Sequence, residues 1–377
     1  MNNKTINLST PSLILDINKL EKNIIKMSKY CIKNNIKIRP HAKSHKMSNL
    51  AKIQIKNGAV GICVATLYEA EVMTKENIPG ILLTSPISNK HDIKRLRKLI
   101  KQSIDFSLVI DDEYSINYLN NVCKLKNLKL NVLIDCDIMR IGKNKISRTG
   151  VRSIKEIVKL AKLIANNKYL NYKGITAYAG DVQHINNYND RSKEIFLKNK
   201  YLKNIIKSLN NANLPPLIVS GGGTGSHDID TKSNIYTEIQ PGSYVFNDVE
   251  YSNVSMYNAK ISKFDHSLFV ASSIISKVNE YKYIVNAGLK AFSTDSKFLP
   301  LPFGNIPKNT QYKFMGDEHG MIILPKMSKH TLSISDTIFL YPPHCDPTIN
   351  LYEKCNILKK GKIITSWNID ARGYGLN

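Results

Sequence analysis

The 377-residue sequence contains no stretch long and apolar enough to cross a membrane, and its first residues, MNNKTINLSTPSL, include no long apolar segment. These absences argue against a membrane-spanning protein and against a recognisable export signal. The six cysteines form no CxxC pair and have no regular spacing, so they do not suggest a disulfide framework. We therefore expect a cytoplasmic protein with reduced thiols and no membrane partner.

Acidic residues are scarce: 30 Asp and Glu face 54 Lys and Arg, which gives a net charge of +24. Such a charge raises the possibility of a nucleic-acid binder. The lysines, however, are scattered among Asn and Ile along the whole chain and form no basic tail or block. We expect a basic solvated surface and no nucleic-acid partner; retention on DNA that depends on salt would indicate the opposite.

Short apolar runs alternate with longer segments of helical period from residue 36 onward, and the length allows two domains. The strand-like runs are Ile36–Ala42, Gly61–Ala65, Ile81–Ser85, Phe106–Ile110, Leu130–Asp135, Gly174–Tyr178, Pro216–Ser220 and Tyr236–Phe246. The helix candidates between them include Ser48–Asn57, Leu67–Lys75, Asp92–Lys101 and Val151–Asn166. Because the strands are continuous apolar runs, the pattern favours an α/β fold, a (β/α)₈ TIM-like barrel, over a doubly wound sheet.

The pattern changes after Tyr251 to short strand-like pieces separated by Gly, Pro, Asn and Asp. This change predicts a second, mainly β domain at the C-terminus. We assign residues 12–251 to the barrel, and residues 1–11 together with 252–377 to the mainly β domain.

Two glycine-containing turns follow the last two predicted barrel strands. They are SGGGTGS (Ser220–Ser226) and QPGS (Gln240–Ser243). In barrels of this kind the loops after strands seven and eight commonly hold phosphate, and backbone N–H groups can approach it where side chains are absent. Neither turn is a Walker motif. Each is a candidate phosphate cradle, with an ordinary tight turn as the alternative.

A cluster of basic side chains, RPHAKSHK (Arg39–Lys46), follows the first predicted strand. Crowded cations at the mouth of a barrel are costly unless an anion lies nearby. Lys43 is a candidate Schiff-base lysine, because neighbouring cations and partial desolvation would lower its pKa. The alternative is an exposed basic loop.

Two further groups are expected at the same end of the barrel. Tyr178 ends the sixth predicted strand. In the segment YPPHCDPTINLY, His344 and Asp346 stand at alternate positions of what the prolines suggest is an extended chain, so their side chains would point the same way. Such a pair can bind a divalent metal or can simply form a hydrogen bond.

These motifs together resemble the fold-type III pyridoxal-phosphate enzymes, and within them the family of D-threonine aldolase and eukaryotic-type D-serine dehydratase. The resemblance covers nearly the whole chain. Its motifs are TPSLILD (Thr10–Asp16), RPHAKSHK (Arg39–Lys46), VATLYEAEVM (Val64–Met73), ILLTSP (Ile81–Pro86), SRTGV (Ser147–Val151), AYAGDVQH (Ala177–His184), SGGGTGS (Ser220–Ser226), EIQPGSYVFND (Glu238–Asp248), NAGLKAFSTD (Asn286–Asp295), GDEHG (Gly316–Gly320) and PPHCDPTINLY (Pro342–Tyr352).

The resemblance implies a role for each matching residue. Lys43 would bind pyridoxal 5'-phosphate covalently, Arg148 would meet its phenolic oxygen, and Tyr178 would pack on its ring. Gln240 would lie near the pyridine nitrogen, where a neutral partner would leave that nitrogen poorly protonated. The residues implied to hold the phosphate are Gly222, Gly223, Thr224, Gly225, Gly242, Ser243 and Tyr244.

Two departures from the family pattern stand out. The segment after the fifth strand offers two Arg-x-Gly sequences, beginning at Arg140 and at Arg148, and we favour Arg148. Asn286 stands where the family often has Asp, with no evident meaning in the sequence alone.

The resemblance implies that His344 and Asp346 are metal ligands and, with Lys43, catalytic. Carboxylate and imidazole ligands suit Mn²⁺, Mg²⁺ or Co²⁺, whereas the His-x-Cys pair of the dehydratase branch suits Zn²⁺. We therefore expect a D-threonine aldolase that cleaves D-β-hydroxy-α-amino acids, acting as a homodimer. The alternatives are a D-serine or D-3-hydroxyaspartate dehydratase, and a non-catalytic pyridoxal-phosphate-binding protein.

Overall fold

The computed structural model of the protein describes residues 8–103, 105–143, 147–256 and 264–375. Its helices are α1 (Ile17–Lys33), α2 (Ser48–Lys56), α3 (Leu67–Lys75), α4 (Ile93–Gln102), α5 (Glu113–Lys124), α6 (Ile154–Ala165), α7 (Tyr188–Asn211), α8 (His227–Asp230), α9 (Val249–Ser252) and α10 (Cys345–Ile349). Its strands in the first two-thirds of the chain are β1 (Ser12–Asp16), β2 (Lys37–Ile38), β3 (Ile62–Val64), β4 (Ile81–Leu83), β5 (Ser107–Ile110), β6 (Leu130–Asp135), β7 (Leu170–Ala177), β8 (Ile218–Gly221) and β9 (Glu238–Ile239). The remaining strands are β10 (Leu268–Asn279), β11 (Lys282–Val285), β12 (Leu301–Phe303), β13 (Gln311–Phe314), β14 (Gly320–Ile323), β15 (Thr337–Tyr341), β16 (Lys354–Lys359) and β17 (Lys362–Asn368).

Eight parallel strands form the curled sheet of the first domain, in the order β2-β9-β8-β7-β6-β5-β4-β3. The two ends of this order meet through a single parallel bridge between His41 and Cys63. The predicted α/β barrel is confirmed. The eighth strand is shorter than the predicted run Tyr236–Phe246, because the chain turns at Pro241 and forms a 3₁₀ turn at Ser243–Val245.

Both faces of the barrel sheet are buried, which explains why its strands read as continuous apolar runs. On four neighbouring strands, Cys63, Leu82, Val109 and Leu133 form a small cluster, while alternate residues of the same strands pack in the larger cluster with the surrounding helices. This alternation is the period of two expected of any strand.

Helix α6 shows how the sequence sets the barrel helices. Its buried residues Ile157, Leu160 and Ile164 follow helical spacing and face the sheet. The helix begins at Ile154 because the Ser153 side chain accepts a hydrogen bond from the N–H of Glu156, 3.2 Å away. The sequence pattern predicts a start at Val151, three residues too early.

The second domain is mainly β, as predicted. Its sheet has the order β13-β14-β11-β10-β1-β16-β17, with β15 pairing with β10 and β12. Strand β1 joins this sheet by pairing antiparallel with β10 and parallel with β16. Residues 1–7, which the sequence analysis assigns to this domain, lie outside the described residues.

No helix in the described part of the chain has both the length and the apolar character required to cross a bilayer. All six cysteines are buried and none forms a disulfide.

Candidate active site

A cavity of about 570 Å³ opens at the C-terminal ends of the barrel strands. Four of the predicted site residues line it, namely Lys43, Arg148, Tyr178 and Gln240. They come from loops far apart in sequence and meet because parallel strands end at the same edge of a barrel.

Lys43 lies in the single 3₁₀ turn Ala42–Ser44 that follows β2, and its Nζ is 2.5 Å from Asp346 Oδ2. The Asp346 carboxylate raises the pKa of Lys43. Although burial opposes the charge on Asp346, the Lys43 ammonium holds the pKa of this carboxyl below its usual value. The expectation that neighbouring cations lower the pKa of Lys43 is therefore wrong, because a carboxylate is its nearest charged neighbour.

The other basic residues of this segment also have partners. Arg39 forms a buried ion pair with Glu238, with Nε 2.8 Å from Oε1. Lys46 Nζ lies 2.5 Å from Glu69 Oε1. His41 is buried, and this burial holds its pKa well below the usual range, so the imidazole is neutral. The anions that compensate the basic cluster thus come from the protein itself.

His344 and Asp346 lie at the start of α10, with His344 as the cap residue of the helix. The extended conformation expected from the prolines is wrong, yet the two side chains remain neighbours, with His344 Nε2 4.0 Å from Asp346 Oδ1. His344 Nδ1 lies 2.7 Å from Asp295 Oδ2. A carboxylate on one ring nitrogen directs the lone pair of the other toward a metal, as in many metal sites.

The donor set fits a divalent cation that keeps several water ligands, since such ions use few protein ligands. Within the described ranges, no group of three or more His, Cys, Asp or Glu side chains is arranged as a metal site. His344 and Asp346 are the two side chains here that could hold such an ion.

Arg148 and Arg140, the two alternatives of the sequence analysis, lie in different surroundings. The Arg148 guanidinium carbon is 6.0 Å from the centre of the Tyr178 ring, and both residues line the cavity. Arg140 instead contacts Tyr201 of α7, with Nη2 3.3 Å from the hydroxyl. Of the two arginines, Arg148 is the cavity residue.

The glycine loop after β8 packs tightly against Gln183. The N–H of Gly225 donates to Gln183 Oε1 at 3.0 Å, and the N–H of Gly223 donates to Ser226 Oγ at 3.1 Å. A Cβ at Gly225 would lie 2.0 Å from the Gln183 carbonyl oxygen. These glycines are required for close packing, and the two amide hydrogens are used within the protein. Gly222 has a positive φ of 68°.

The second glycine turn contacts both Lys43's turn and Asp346. Ser243 Oγ donates to Asp346 Oδ1 at 3.1 Å. A Cβ at Gly242 would lie 3.1 Å from the carbonyl oxygen of His41. The N–H of Tyr244 donates to Thr224 Oγ1 at 3.1 Å, which joins the two turns. The Tyr244 side chain itself is buried.

His184 ends the motif AYAGDVQH, from which the sequence predicts no role for it, and the structure brings it beside His344. Its ring centre is 6.1 Å from that of His344, and its Nδ1 is 3.6 Å from Glu250 Oε1. Asp248 supports the same region, because its Oδ2 accepts from the N–H of Cys345 at 2.7 Å. The position of His184 just after a barrel strand was the signal that could have marked it.

Asn286 lies elsewhere. Its Nδ2 donates to the carbonyl oxygen of Thr10 at 2.9 Å, and its Oδ1 accepts from the N–H of Ser273 at 2.9 Å. This residue ties the segment just before β1 to β10, and it is not among the residues that line the cavity.

Comparison with known sequences gives the family. The profile described as "Alanine racemase, N-terminal domain" matches residues 15–249, and that described as "Putative serine dehydratase domain" matches residues 267–358. A 3-hydroxy-D-aspartate aldolase of Paracoccus denitrificans (strain Pd 1222) is 33% identical over 98% of this chain and 93% of its own length. The chain belongs to the D-threonine aldolase and D-serine dehydratase family of fold-type III pyridoxal-phosphate enzymes.

Further relatives agree with this membership. A D-threonine aldolase of Arthrobacter sp. is 28% identical over 97% of this chain and 93% of its own length. The solved structure of D-threonine aldolase from Filomicrobium marinum superposes with a TM-score of 0.90 at 29% identity, covering 98% of this chain and 96% of that one. The protein is accordingly a lyase of this family of aldolases and dehydratases.

Proposed function

We propose that this lyase catalyses the retro-aldol cleavage of D-β-hydroxy-α-amino acids, converting D-threonine to glycine and acetaldehyde. The observation that carries the proposal is that Lys43, which lines the cavity, lies beside Asp346 and His344. Lys43 Nζ is 2.5 Å from Asp346, and Asp346 is 4.0 Å from His344. The amine that we propose to bind the cofactor and the two candidate metal ligands are therefore close neighbours.

The residues around the cavity fit pyridoxal phosphate. Lys43 is the amine that would bind it, and Arg148, Tyr178 and Gln240 line the same cavity. The turns at 222–225 and 242–244 would hold its phosphate through N–H groups other than those of Gly223, Gly225 and Tyr244, which are hydrogen-bonded within the protein. When bound, the coenzyme supplies an aldehyde for the lysine and a conjugated ring that draws electrons from the bond being broken.

Two side chains would carry out the proton transfers of the cleavage reaction. We assign His184 to accept the hydroxyl proton of the substrate, because its ring centre is 6.1 Å from that of His344 and burial lowers its pKa, which favours the neutral imidazole. We assign Lys43 Nζ to return a proton to Cα, so that the product is glycine. The Cα–Cβ bond of the substrate breaks, and the part that contains Cβ and its oxygen leaves as an aldehyde.

A divalent cation held by His344 and Asp346 would supply Lewis-acid polarisation of the hydroxyl oxygen. Asp346 is hydrogen-bonded by Lys43 and Ser243, which fixes the direction of its carboxylate. Carboxylate and imidazole together favour a hard or borderline ion, and we propose Mn²⁺ with Mg²⁺ and Co²⁺ as substitutes.

The second candidate function is β-elimination by a D-serine or D-3-hydroxyaspartate dehydratase. It is favoured by the serine dehydratase profile over residues 267–358. Against it, the residue beside Lys43 is the carboxylate of Asp346, and Cys345 is fully buried in α10. Incubation of the Mn²⁺-loaded protein with D-threonine separates the two. Glycine and acetaldehyde support the aldolase, whereas ammonia and 2-oxobutanoate would establish the dehydratase.

A non-catalytic coenzyme carrier is a further alternative. A coenzyme carrier would form no product from D-threonine, whichever metal ion is added. We expect turnover that a chelator abolishes and Mn²⁺ restores, and the variant Asp346→Ala should lose this metal response. We also propose that the protein works in the cytoplasm as a homodimer; size-exclusion chromatography with light scattering tests its assembly.

A further inference from the structure

A chain of four buried polar side chains crosses the inside of the barrel and ends at the cavity. It begins with Arg39 of the loop after β2, whose Nε and Nη2 lie 2.8 and 3.0 Å from the two carboxylate oxygens of Glu238 on β9. Arg39 Nη1 also donates to the carbonyl oxygen of Gly80. Arginine is permanently charged, and its bidentate pairing is the geometry of a carboxylate, whose oxygens can only accept hydrogen bonds.

The state of Glu238 fixes the direction of the next bond. Ser220 Oγ on β8 is 2.7 Å from Glu238 Oε1, and its hydroxyl must be the donor because an ionised carboxylate has no hydrogen to give. The Ser220 oxygen is left with lone pairs only. It therefore accepts a hydrogen bond from its other neighbour, Gln240, at 2.8 Å.

The accepting oxygen of Ser220 in turn fixes the amide of Gln240. The Gln240 nitrogen, and not its oxygen, must face Ser220, so the two ends of the amide are not interchangeable here. Gln240 lines the cavity although it is only 4% exposed. With one Nε2 hydrogen bound to Ser220, the carbonyl oxygen Oε1 is the only acceptor that the amide can offer a ligand, and the second Nε2 hydrogen is its remaining donor.

We propose that Gln240 is a hydrogen-bond acceptor for a ring N–H of the bound coenzyme, held in this direction by Arg39, Glu238 and Ser220 as positioning residues. The proposal rests on the proposed function, in which Gln240 lies near the pyridine nitrogen. It reverses the expectation from the sequence that a neutral residue leaves this nitrogen poorly protonated, because an acceptor favours the protonated form of its partner. A protonated ring is the better electron sink.

The direct test is ¹⁵N NMR of the protein loaded with pyridoxal phosphate labelled at the ring nitrogen. We expect the chemical shift of a protonated pyridine in the wild type. Gln240→Met, which keeps side-chain volume without an acceptor, and Ser220→Ala, which frees the amide to rotate, should move the resonance toward the unprotonated position. Ser267→Ala is the matched control, since Ser267 is also fully buried but its hydroxyl bonds to the carbonyl oxygen of Val245. It should leave the resonance unchanged.

A second measurement uses the 1-deaza analogue of the coenzyme, which lacks the ring nitrogen. The wild type should bind it on the order of tenfold more weakly than pyridoxal phosphate, as expected for loss of a hydrogen bond to a charged group. The Gln240→Met variant should bind pyridoxal phosphate and its 1-deaza analogue with almost equal affinity. This ratio of affinities does not depend on turnover.

The outcomes separate the proposal from the function on which it rests. An unprotonated resonance in protein whose coenzyme is attached to Lys43 overturns the role of Gln240 and leaves the lyase assignment intact. A wild-type shift retained in both Gln240→Met and Ser220→Ala overturns it as well. Failure of the coenzyme to attach to Lys43 would remove the proposed function and this inference together.

Discussion

The buried ion pair between Arg39 and Glu238 offers the sharpest test of how the barrel is held together at the site. Their side chains are 9% and 2% exposed. Replacing Arg39 by Met keeps most of the packing volume but leaves the Glu238 carboxylate buried without its cation. Loss of one partner of a buried pair costs about 3–5 kcal/mol, and we expect the free energy of unfolding in urea to fall by that amount.

An exposed ion pair gives the control. Lys159 Nζ lies 2.5 Å from Glu113 Oε2, but these side chains are 62% and 49% exposed. Lys159→Met should change the free energy of unfolding by less than about 1 kcal/mol, because exposed pairs contribute little.

The double variant Arg39→Met/Glu238→Met completes the cycle. Removing both charges should recover most of the loss, since apolar replacements of a buried pair are often nearly neutral. If Arg39→Met alone loses no more than the Lys159→Met control, Glu238 is not a buried charge that needs Arg39, and the reasoning about this network is refuted.

Three further predictions follow from individual residues. Burial raises the pKa of Asp230 from 3.8 to about 7, so the folded state keeps a proton that the unfolded chain releases, and stability falls as the pH rises through this window. Asp230→Asn should therefore gain stability over the wild type by about 1.4 kcal/mol per pH unit across this window, measured in urea from pH 4 to 8, and a pH-independent difference would contradict it. Gly225→Ala should lower stability by about 1–3 kcal/mol and weaken coenzyme binding in an absorption titration, because its Cβ meets the Gln183 carbonyl; unchanged binding would speak against a role of this loop. His184→Gln should slow D-threonine cleavage by about 10²–10⁴-fold without weakening coenzyme binding, and full activity would exclude it as the proton acceptor.

The fold could be predicted because each barrel strand appears in the sequence as a continuous apolar run. Leu130–Asp135 is buried on both faces and appears in the sequence as an apolar run with the same limits as β6. The eighth strand could not be delimited in this way. The strand itself ends at Ile239, and the backbone hydrogen bonds to its neighbours end at Pro241, whose carbonyl oxygen accepts from the N–H of His41 but which has no N–H of its own. Apolar residues nevertheless go on to Phe246.

Family motifs identified Lys43, His344 and Asp346 as candidates, but not their mutual contact. The residues of the pair Lys43–Asp346 are separated by most of the chain, and only the folded barrel brings the ammonium to the carboxylate. The sequence therefore led to the wrong direction for the pKa of Lys43. The orientation of the Gln240 amide also cannot be predicted from the sequence, because it depends on a hydrogen bond to Ser220 of a neighbouring strand.

The central claim is that Lys43 is the amine that binds pyridoxal phosphate, and chemical trapping tests it most directly. Protein incubated with the coenzyme is reduced with borohydride, digested, and analysed by mass spectrometry for the modified lysine. We predict loss of the visible absorption band and a single stable adduct on Lys43, absent from Lys43→Ala. An adduct on another of the chain's lysines, or no adduct in the wild type, would contradict the account.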